Sequence, residues 1–140
     1  MSLMMSLCNK PCTFALLLLC SVMSSVSYAE EDEKTIPAYV ELKPNFVVNH
    51  VGNESKLKYI KTSISIRTNE TQKILIENNM PIVRDAIVMF LSSRTTEQVT
   101  GAIAREKTRE EAAIAVNTAL EEETGLSPVQ DILFASFVTQ

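Results

Sequence analysis

Few side chains of this sequence could act as nucleophiles, general bases or metal ligands. His50 is the only histidine, and Ser92-Ser93 lacks the motif that surrounds a serine nucleophile. The three cysteines all precede residue 30: Cys8, Cys12 and Cys20. A structural zinc site needs about four nitrogen or sulfur ligands. We therefore predict a protein that is not an enzyme and binds no metal or other cofactor, with His50 exposed near a turn.

The net charge of the chain indicates which classes of partner to exclude. The 140-residue chain carries a net charge of -4. Lys10 is the only charged side chain before Glu30, so the acidic excess lies from Glu30 onward. Nucleic-acid phosphates attract basic surfaces, whereas this region is acidic. We therefore predict no nucleic-acid partner. A chain of this length has room for one domain.

Residues 1–29 have the features of an export signal. Lys10 supplies positive charge, Phe14 to Cys20 form an apolar stretch, and Ser27-Tyr28-Ala29 has small residues at its first and last positions. This order is typical of a signal that is cleaved, here after Ala29. The alternative is an uncleaved membrane anchor, because Cys12 to Ala29 approaches the ~20 residues that span a bilayer.

An acidic linker is predicted over residues 30–38. Glu30 to Lys34 is a run of charged residues without an apolar partner, and Thr35-Ile36-Pro37 follows it. Such runs are usually solvated. We expect the linker to join the N-terminal segment to a domain over residues 39–140.

Two strands are predicted at the start of this domain. The first joins Tyr39–Leu42 to Phe46–Val48, and Pro44 between them indicates a sheet edge or a bulge. The second, Lys58 to Thr68, alternates between two faces, one of which consists of Ile60, Thr62, Ile64 and Ile66. This alternation is typical of a half-buried antiparallel strand. A hairpin is the economical connection, because the turn is short and contains Gly52.

The last strand is predicted over Val129 to Thr139. One of its faces consists of Ile132, Phe134 and Val138, and the other of Leu133, Ala135 and Phe137. A strand that is apolar on both faces usually lies inside a sheet. We therefore predict an interior position for it.

Helical segments fill the region between the second and last strands. Thr71 to Asn78 is followed by a helix over Pro81 to Ser93, whose apolar residues nearly encircle the axis. We expect this helix to be buried on most sides. Thr95 and Gln98 have capping-box spacing, which predicts a further helix that breaks at Gly101.

The longest helix is predicted over Arg105 to Glu123. It has a narrow apolar stripe formed by Ala112, Ala113, Val116, Ala119 and Leu120. Gly125 is expected to end it as a C-terminal cap. The order strand, strand, helices, strand predicts an α+β fold, in which helices pack on one face of a small antiparallel sheet of about three strands.

Two pairs of neighbouring charges are candidates for packing or subunit contacts. Arg84 and Asp85 interrupt the apolar helix, where an unpaired buried charge would cost several kcal/mol. They either occupy a narrow exposed strip, or one of them pairs across to Arg109 or Glu110 and fixes the packing register. The second arrangement would give these four residues a structural or subunit-contact role.

A run of acidic residues forms a further candidate surface. Glu121, Glu122 and Glu123 lie at a helix C-terminus, where negative charge opposes the helix dipole. A solvated helix end accounts for them, since charge runs are usually solvent faces. The alternative is an acidic edge that meets a basic surface of a partner.

Several segments, taken in order, resemble the periplasmic domain of the flagellar basal body-associated protein FliL family. The matching segments are Tyr39-Val40-Glu41-Leu42, Phe46-Val47-Val48-Asn49, Tyr59 to Arg67, Pro81 to Ile87, Leu91-Ser92-Ser93, Glu106-Lys107, Arg109-Glu110-Glu111-Ala112, Ile132-Leu133-Phe134, Ser136-Phe137-Val138 and Gln140. The resemblance covers residues 39–140.

The resemblance implies a domain similar in fold to stomatin and prohibitin domains. It implies a non-enzymatic accessory protein of the flagellar motor, on the periplasmic side of the inner membrane. Members of such a family form rings or other homo-oligomers around the ion-driven stator and support torque in swimming or swarming. The expected partners are therefore the stator proteins, the basal body and further copies of the same chain.

The sequence departs from the family at its N-terminus. The family typically has a longer basic leader and a robust membrane span, whereas residues 1–29 are short and rich in serine. Contact with the inner membrane is expected if this segment is retained. If it is cleaved, a soluble periplasmic adaptor that binds another cell-envelope complex is the alternative function.

Overall fold

The computed structural model describes residues 35–52 and 58–140. The predicted segment 1–29, and the linker as far as residue 34, lie outside the described residues. The strands are β1 (Pro37–His50), β2 (Lys58–Asn69) and β3 (Asp131–Thr139). The helices are α1 (Glu70–Asn78), α2 (Met80–Ser92), α3 (Thr96–Val99) and α4 (Ala102–Thr124). The predicted α+β fold with a three-stranded antiparallel sheet is confirmed.

Strand β2 lies in the centre of the sheet, between β1 and β3. Its predicted alternation is confirmed, since the buried side chains are Ile60, Thr62, Ile64, Ile66 and Thr68. The buried hydroxyl of Thr62 donates to the Ser136 carbonyl at 2.6 Å, and that of Thr68 to the Pro128 carbonyl at 2.7 Å. Each of these two buried hydroxyls therefore has an acceptor for its hydrogen.

Strand β1 forms the predicted hairpin with β2. The two strands pair from Pro37 opposite Asn69 to His50 opposite Lys58. Their register shifts between Leu42 and Phe46, where the Lys43–Pro44 peptide bond is cis. Because β1 is both irregular at Pro44 and at the edge of the sheet, the sequence prediction for this proline is confirmed.

Strand β3 lies at the other edge, so the prediction of an interior position is wrong. Its pairing with β2 shifts by one residue, which leaves Ala135 as a bulge. Beyond the bulge Phe137 lies on the same face as Phe134, and their rings meet edge to face with centroids 5.0 Å apart. A strict alternation therefore placed Phe137 and Val138 on the wrong faces.

Helix α2 packs one stripe of side chains against β1 and α4. Val83, Ile87 and Leu91, spaced four residues apart, are buried. Val88 and Met89, in contrast, are 39% and 64% exposed. The expectation that this helix is buried on most sides is wrong, because the helices form one layer over the sheet and their outer sides meet solvent.

The capping prediction for α3 and the stripe prediction for α4 are confirmed. The backbone N–H of Thr95 donates to Gln98 Oε1 at 2.9 Å, and the chain turns at Gly101. The buried residues of α4 repeat every four positions: Thr108, Ala112, Val116 and Leu120. Gly125 ends the helix with a φ of 74°, which favours glycine, and its N–H donates to the Glu121 carbonyl at 2.8 Å.

An amide side chain of α4 helps to hold the segment that returns from α4 to β3. Asn117 Nδ2 donates to the Val129 carbonyl at 2.8 Å, and the Val129 N–H donates to Asn117 Oδ1 at the same distance. Val129 is buried, so these bonds satisfy backbone groups that water does not reach. They join the residues just before β3 to α4.

Candidate interaction surfaces

His50 is buried, so its predicted position in an exposed turn is wrong. It is 7% exposed, because β1 continues as far as His50 and its alternation turns this side chain, like Phe46 and Val48, toward the helices. Neither ring nitrogen has a hydrogen-bond partner among the described residues. Within residues 35–52 and 58–140, no group of three or more His, Cys, Asp or Glu side chains is arranged to hold a metal ion.

Arg84 packs on the ring of Phe46. Its guanidinium carbon lies 4.2 Å from the ring centroid, which is within cation–π range. Asp85 is exposed, and neither residue forms an ion pair with a described side chain. The pairing with Arg109 or Glu110 considered from the sequence is therefore not observed. Arg84 instead joins α2 to β1.

Arg109 joins α4 to β3. It pairs with Asp131, the first residue of β3, and with Glu106 one turn earlier in its own helix, where Nε lies 3.1 Å from Oε2. The hydrogen bonds from Arg109 lower the pKa of Glu106, and the same bonds, with the charge of Asp131, raise the pKa of Arg109. Glu110 is exposed and forms no ion pair with a described residue.

The sequence did not single out either partner of Arg109. Glu106 could have been found, because three residues apart on a helix is pairing distance. Asp131 is 22 residues away along the chain. Its contact with Arg109 depends on how β3 returns beside α4, which local spacing does not contain.

A second ion pair, also not predicted, holds the end of α2 against α4. Arg94 Nη1 lies 2.6 Å from Glu111 Oε2, and its guanidinium carbon lies 4.3 Å from the centroid of the Phe90 ring. The backbone carbonyl of Arg94 also accepts a bond of 3.0 Å from the Val51 N–H. This one residue therefore connects α2, α4 and the end of β1.

The acidic run at the end of α4 is exposed. Glu121, Glu122 and Glu123 lie in a last turn that contains no basic residue. The hydroxyl of Ser127 donates to Glu121 Oε2 at 3.1 Å. Glu122 and Glu123 form no ion pair within the described part of the chain. An acidic surface at this end of the helix remains a prediction.

A groove of about 410 Å³ separates α4 from the free edge of β3. Its lining includes Arg105, Glu106, Arg109, Phe134, Ala135 and Phe137. A hollow of about 460 Å³ adjoins it at Arg109 and extends past Glu110 toward the start of β3. We call the two together the β3 groove. It is an elongated surface with an apolar strand on one side and charged helix residues on the other.

The sheet face opposite the helices is a second open surface. Tyr39, Val47 and Val138 on this face are 54%, 65% and 46% exposed. Lys61 and Arg67 are exposed beside them and form no ion pair with any side chain in the described ranges. This face is therefore mixed in character, with apolar, aromatic and basic groups.

The described residues thus form a small α+β domain. Two of its open surfaces, the β3 edge with its groove and the sheet face opposite the helices, are suited to contacts with other proteins. Residues 39–140 match the sequence profile of the family described as flagellar basal body-associated protein FliL. The chain belongs to this family, which confirms the resemblance found in the sequence. The family is one of flagellar accessory proteins, and membership implies a place in the cell envelope at the flagellum.

A curated relative agrees with this assignment. A flagellar protein FliL of Aquifex aeolicus (strain VF5) is 30% identical over 101 residues, which is 71% of this chain and 60% of that protein. The chain therefore spans about 60% of the relative's length. Among the described helices, α4 is the longest, and none is long and apolar enough to cross a membrane.

Proposed function

We propose that this protein is a non-enzymatic component of the flagellar motor, which assembles around or beside the stator and supports torque in swimming or swarming. The observation that carries the proposal is the match of residues 39–140 to the basal body-associated family. The proposed location is the periplasmic side of the inner membrane, with residues 1–29 either retained as an anchor or cleaved.

The proposed mechanism is binding alone. The charged side chains Arg84, Arg94 and Arg109 are engaged in joining the domain's own elements. The β3 groove and the open sheet face remain available for partners. A homo-oligomer, such as a ring, would hold the periplasmic part of the stator in its engaged state. The stomatin- or prohibitin-like fold stays a prediction, which superposition on such domains tests.

Deletion of the gene in the source organism tests the motor role. We expect smaller swimming or swarming zones, full recovery when the intact gene is supplied, and co-purification of stator proteins with a tagged copy. The control is a deletion strain that carries the empty vector. Unchanged swimming and swarming, with stator proteins absent from the purified complex, would exclude the motor role.

A soluble periplasmic adaptor for another envelope complex is the second candidate. The observation that favours it is Ser27-Tyr28-Ala29, which has the small residues of a cleavage site. Cell fractionation and the intact mass of the mature protein test it. A protein that begins at Glu30 and is found in the soluble periplasmic fraction excludes the anchored form. Recovery of full-length chain from membranes excludes the soluble adaptor.

A further inference from the structure

The free edge of β3 carries few of the features that usually keep a strand from pairing with another chain. Native sheets protect their edges with proline, charged side chains, bulges or a covering segment, and of these β3 has the bulge at Ala135. From Ile132 to Gln140, β3 contains no proline and no charged residue. Leu133 and Ala135 are at the surface, and the aromatic pair Phe134–Phe137 is half-buried. The edge is therefore chemically competent to add a strand.

The helix beside this edge presents two charges that the domain does not use. Arg109 and Glu106 neutralise each other, and Arg109 also holds Asp131. Arg105, in the groove, and Glu110, in the adjoining hollow, form no ion pair with any side chain in the described part of the chain. An occupant of the β3 groove would therefore meet one free cation and one free anion.

The charge order along α4 is self-complementary. Arg105-Glu106 is followed one turn later by Arg109-Glu110. When two copies of this helix run antiparallel about a point between residues 107 and 108, Arg105 of one copy meets Glu110 of the other. The same operation brings Glu106 opposite Arg109. A two-fold axis therefore pairs Arg105 with Glu110 and Arg109 with Glu106 of the other copy, and leaves Lys107 opposite Thr108. A parallel arrangement at the same level sets like charges against each other.

We propose that the β3 groove binds the β3 groove of a second copy of this chain, in a two-fold dimer. The two β3 edges pair antiparallel and continue the sheet from one copy into the other. The Phe134–Phe137 pairs complete their burial against the facing copy, and Arg105 and Glu110 exchange ion pairs across the axis. This inference deepens the proposed homo-oligomer and rests on that part of the proposed function, but not on the motor role. A ring that contained this contact would be built from dimers, joined by a second surface.

Charge reversal in the full chain tests the proposal. We expect Arg105→Glu and Glu110→Arg each to raise the dimer dissociation constant by ~10-fold or more, because each sets like charges against each other at two symmetric positions. The double variant Arg105→Glu/Glu110→Arg should recover most of the affinity. Sedimentation velocity over a concentration series measures the constant, and circular dichroism checks that each variant folds. The proposal is overturned if the chain is monomeric at all concentrations, or if the double variant is no better than the single ones.

Cysteine crosslinking tests the two-fold geometry independently. In a chain with Cys8, Cys12 and Cys20 replaced by serine, Leu133→Cys and Ala135→Cys place a thiol near the middle of the β3 edge. We expect at least one of them to form a disulfide-linked dimer under mild oxidation, because residues near a two-fold axis face their own copies. Val47→Cys, on the opposite edge strand, is the matched control and should remain monomeric.

Two crosslinking results would contradict the dimer. One is the absence of a crosslink at both β3 positions. The other is equal crosslinking at position 47, which would indicate random collision. Neither experiment reads motility, so failure of the dimer and failure of the motor role are distinguishable. A deletion strain that loses swimming while the purified chain stays monomeric would overturn the dimer and leave the motor role standing.

Discussion

The two edges of the sheet differ in how they meet solvent. On β1, Pro44 removes a backbone donor, Lys43 and Glu41 form a surface ion pair at 3.0 Å, and the register is broken before Phe46. On β3 no charge or proline follows Asp131, the pairing is irregular only at Ala135, and a groove runs along its edge. Edges of the first kind resist pairing and edges of the second kind permit it.

The difference between the two edges shows where the apolar side chains of this domain are fully covered and where they are only partly covered. On the β1 side the domain's own residues cover the apolar core, since Phe46 is buried and Arg84 packs on its ring. The β3 side is closed along part of its length by Arg109 and Asp131, whereas Phe134 and Phe137 stay half-buried. If this comparison is right, substitutions on the β1 side should cost more folding stability than equivalent ones at the β3 edge.

The largest effect is expected at Phe46. We expect Phe46→Ala to lower the free energy of unfolding by about 3–5 kcal/mol, because a fully buried aromatic side chain is replaced by a cavity. Phe137→Ala removes a half-buried ring and should cost about 1–2 kcal/mol. Urea denaturation of the full chain, at concentrations where it is monomeric, measures both. Val47→Ala, 65% exposed in β1, is the control and should change little.

Equal losses at Phe46 and Phe137 would contradict the comparison. They would mean that the β3 edge is as complete as the β1 edge in a single copy. A larger loss for Phe137→Ala that appears as the concentration rises would instead sharpen the comparison, because it would measure the contribution of a second copy.

The start of β3 depends on Asn117, which gives the next largest effect. We expect Asn117→Ala to cost about 1–3 kcal/mol, because the buried N–H and carbonyl of Val129 lose their partners. Asn117→Asp keeps the acceptor for the Val129 N–H and loses the donor, so it should fall between wild type and alanine. Thr118→Ala, at an exposed position on the same helix, is the control for helix stability. An alanine variant at position 117 as stable as that at 118 would show that β3 is positioned by other contacts.

Sequence patterns predicted those parts of the fold that depend on neighbouring residues. The alternation of β2, the capping of α3 by Thr95 and Gln98, and the glycine at the end of α4 all follow from local spacing. Each is fixed by residues within one turn or one strand of each other. The β1–β2 hairpin is of the same kind.

The features that decide the surfaces were missed for physical reasons. A single bulge at Ala135 exchanges the sheet faces on which Phe137 and Val138 lie. Strand β1 continues two residues beyond its predicted end at Val48, which turns His50 toward the core. The β3 edge position depends on the path of the chain after α4. Asp131 reaches Arg109 only because of that path. Glu111 reaches Arg94 only because the helices pack together.

A smaller effect is expected at Arg84, which tests what closes the β1 side. One guanidinium nitrogen of Arg84 is buried without a hydrogen-bond partner, which offsets part of the cation–π attraction. We expect Arg84→Met to change stability by less than ~1 kcal/mol, because it keeps the apolar contact with Phe46. Arg84→Ala should cost more, since it also removes that contact. If methionine is as damaging as alanine, the charge and not the packing holds α2 on β1.

The smallest effect concerns the helix that borders the β3 groove and appears as a dependence on pH. Hydrogen bonds from Arg109 lower the pKa of Glu106 in the folded chain below the ordinary value of about 4.3 for an unfolded chain. The stabilisation is therefore fully present above that ordinary value and is lost as the pH falls through the lowered pKa. We expect wild type to be more stable than Glu106→Gln at pH 5 to 7, and the difference to shrink below about pH 4. Because Glu106 is exposed, salt should reduce the difference as well.

The matched control is Glu110→Gln, which removes a carboxylate that forms no ion pair with a described residue. In the monomer it should show no pH-dependent difference in stability from wild type. A difference as large as that of Glu106→Gln would mean that the Glu106–Arg109 pair does not stabilise this side of the groove.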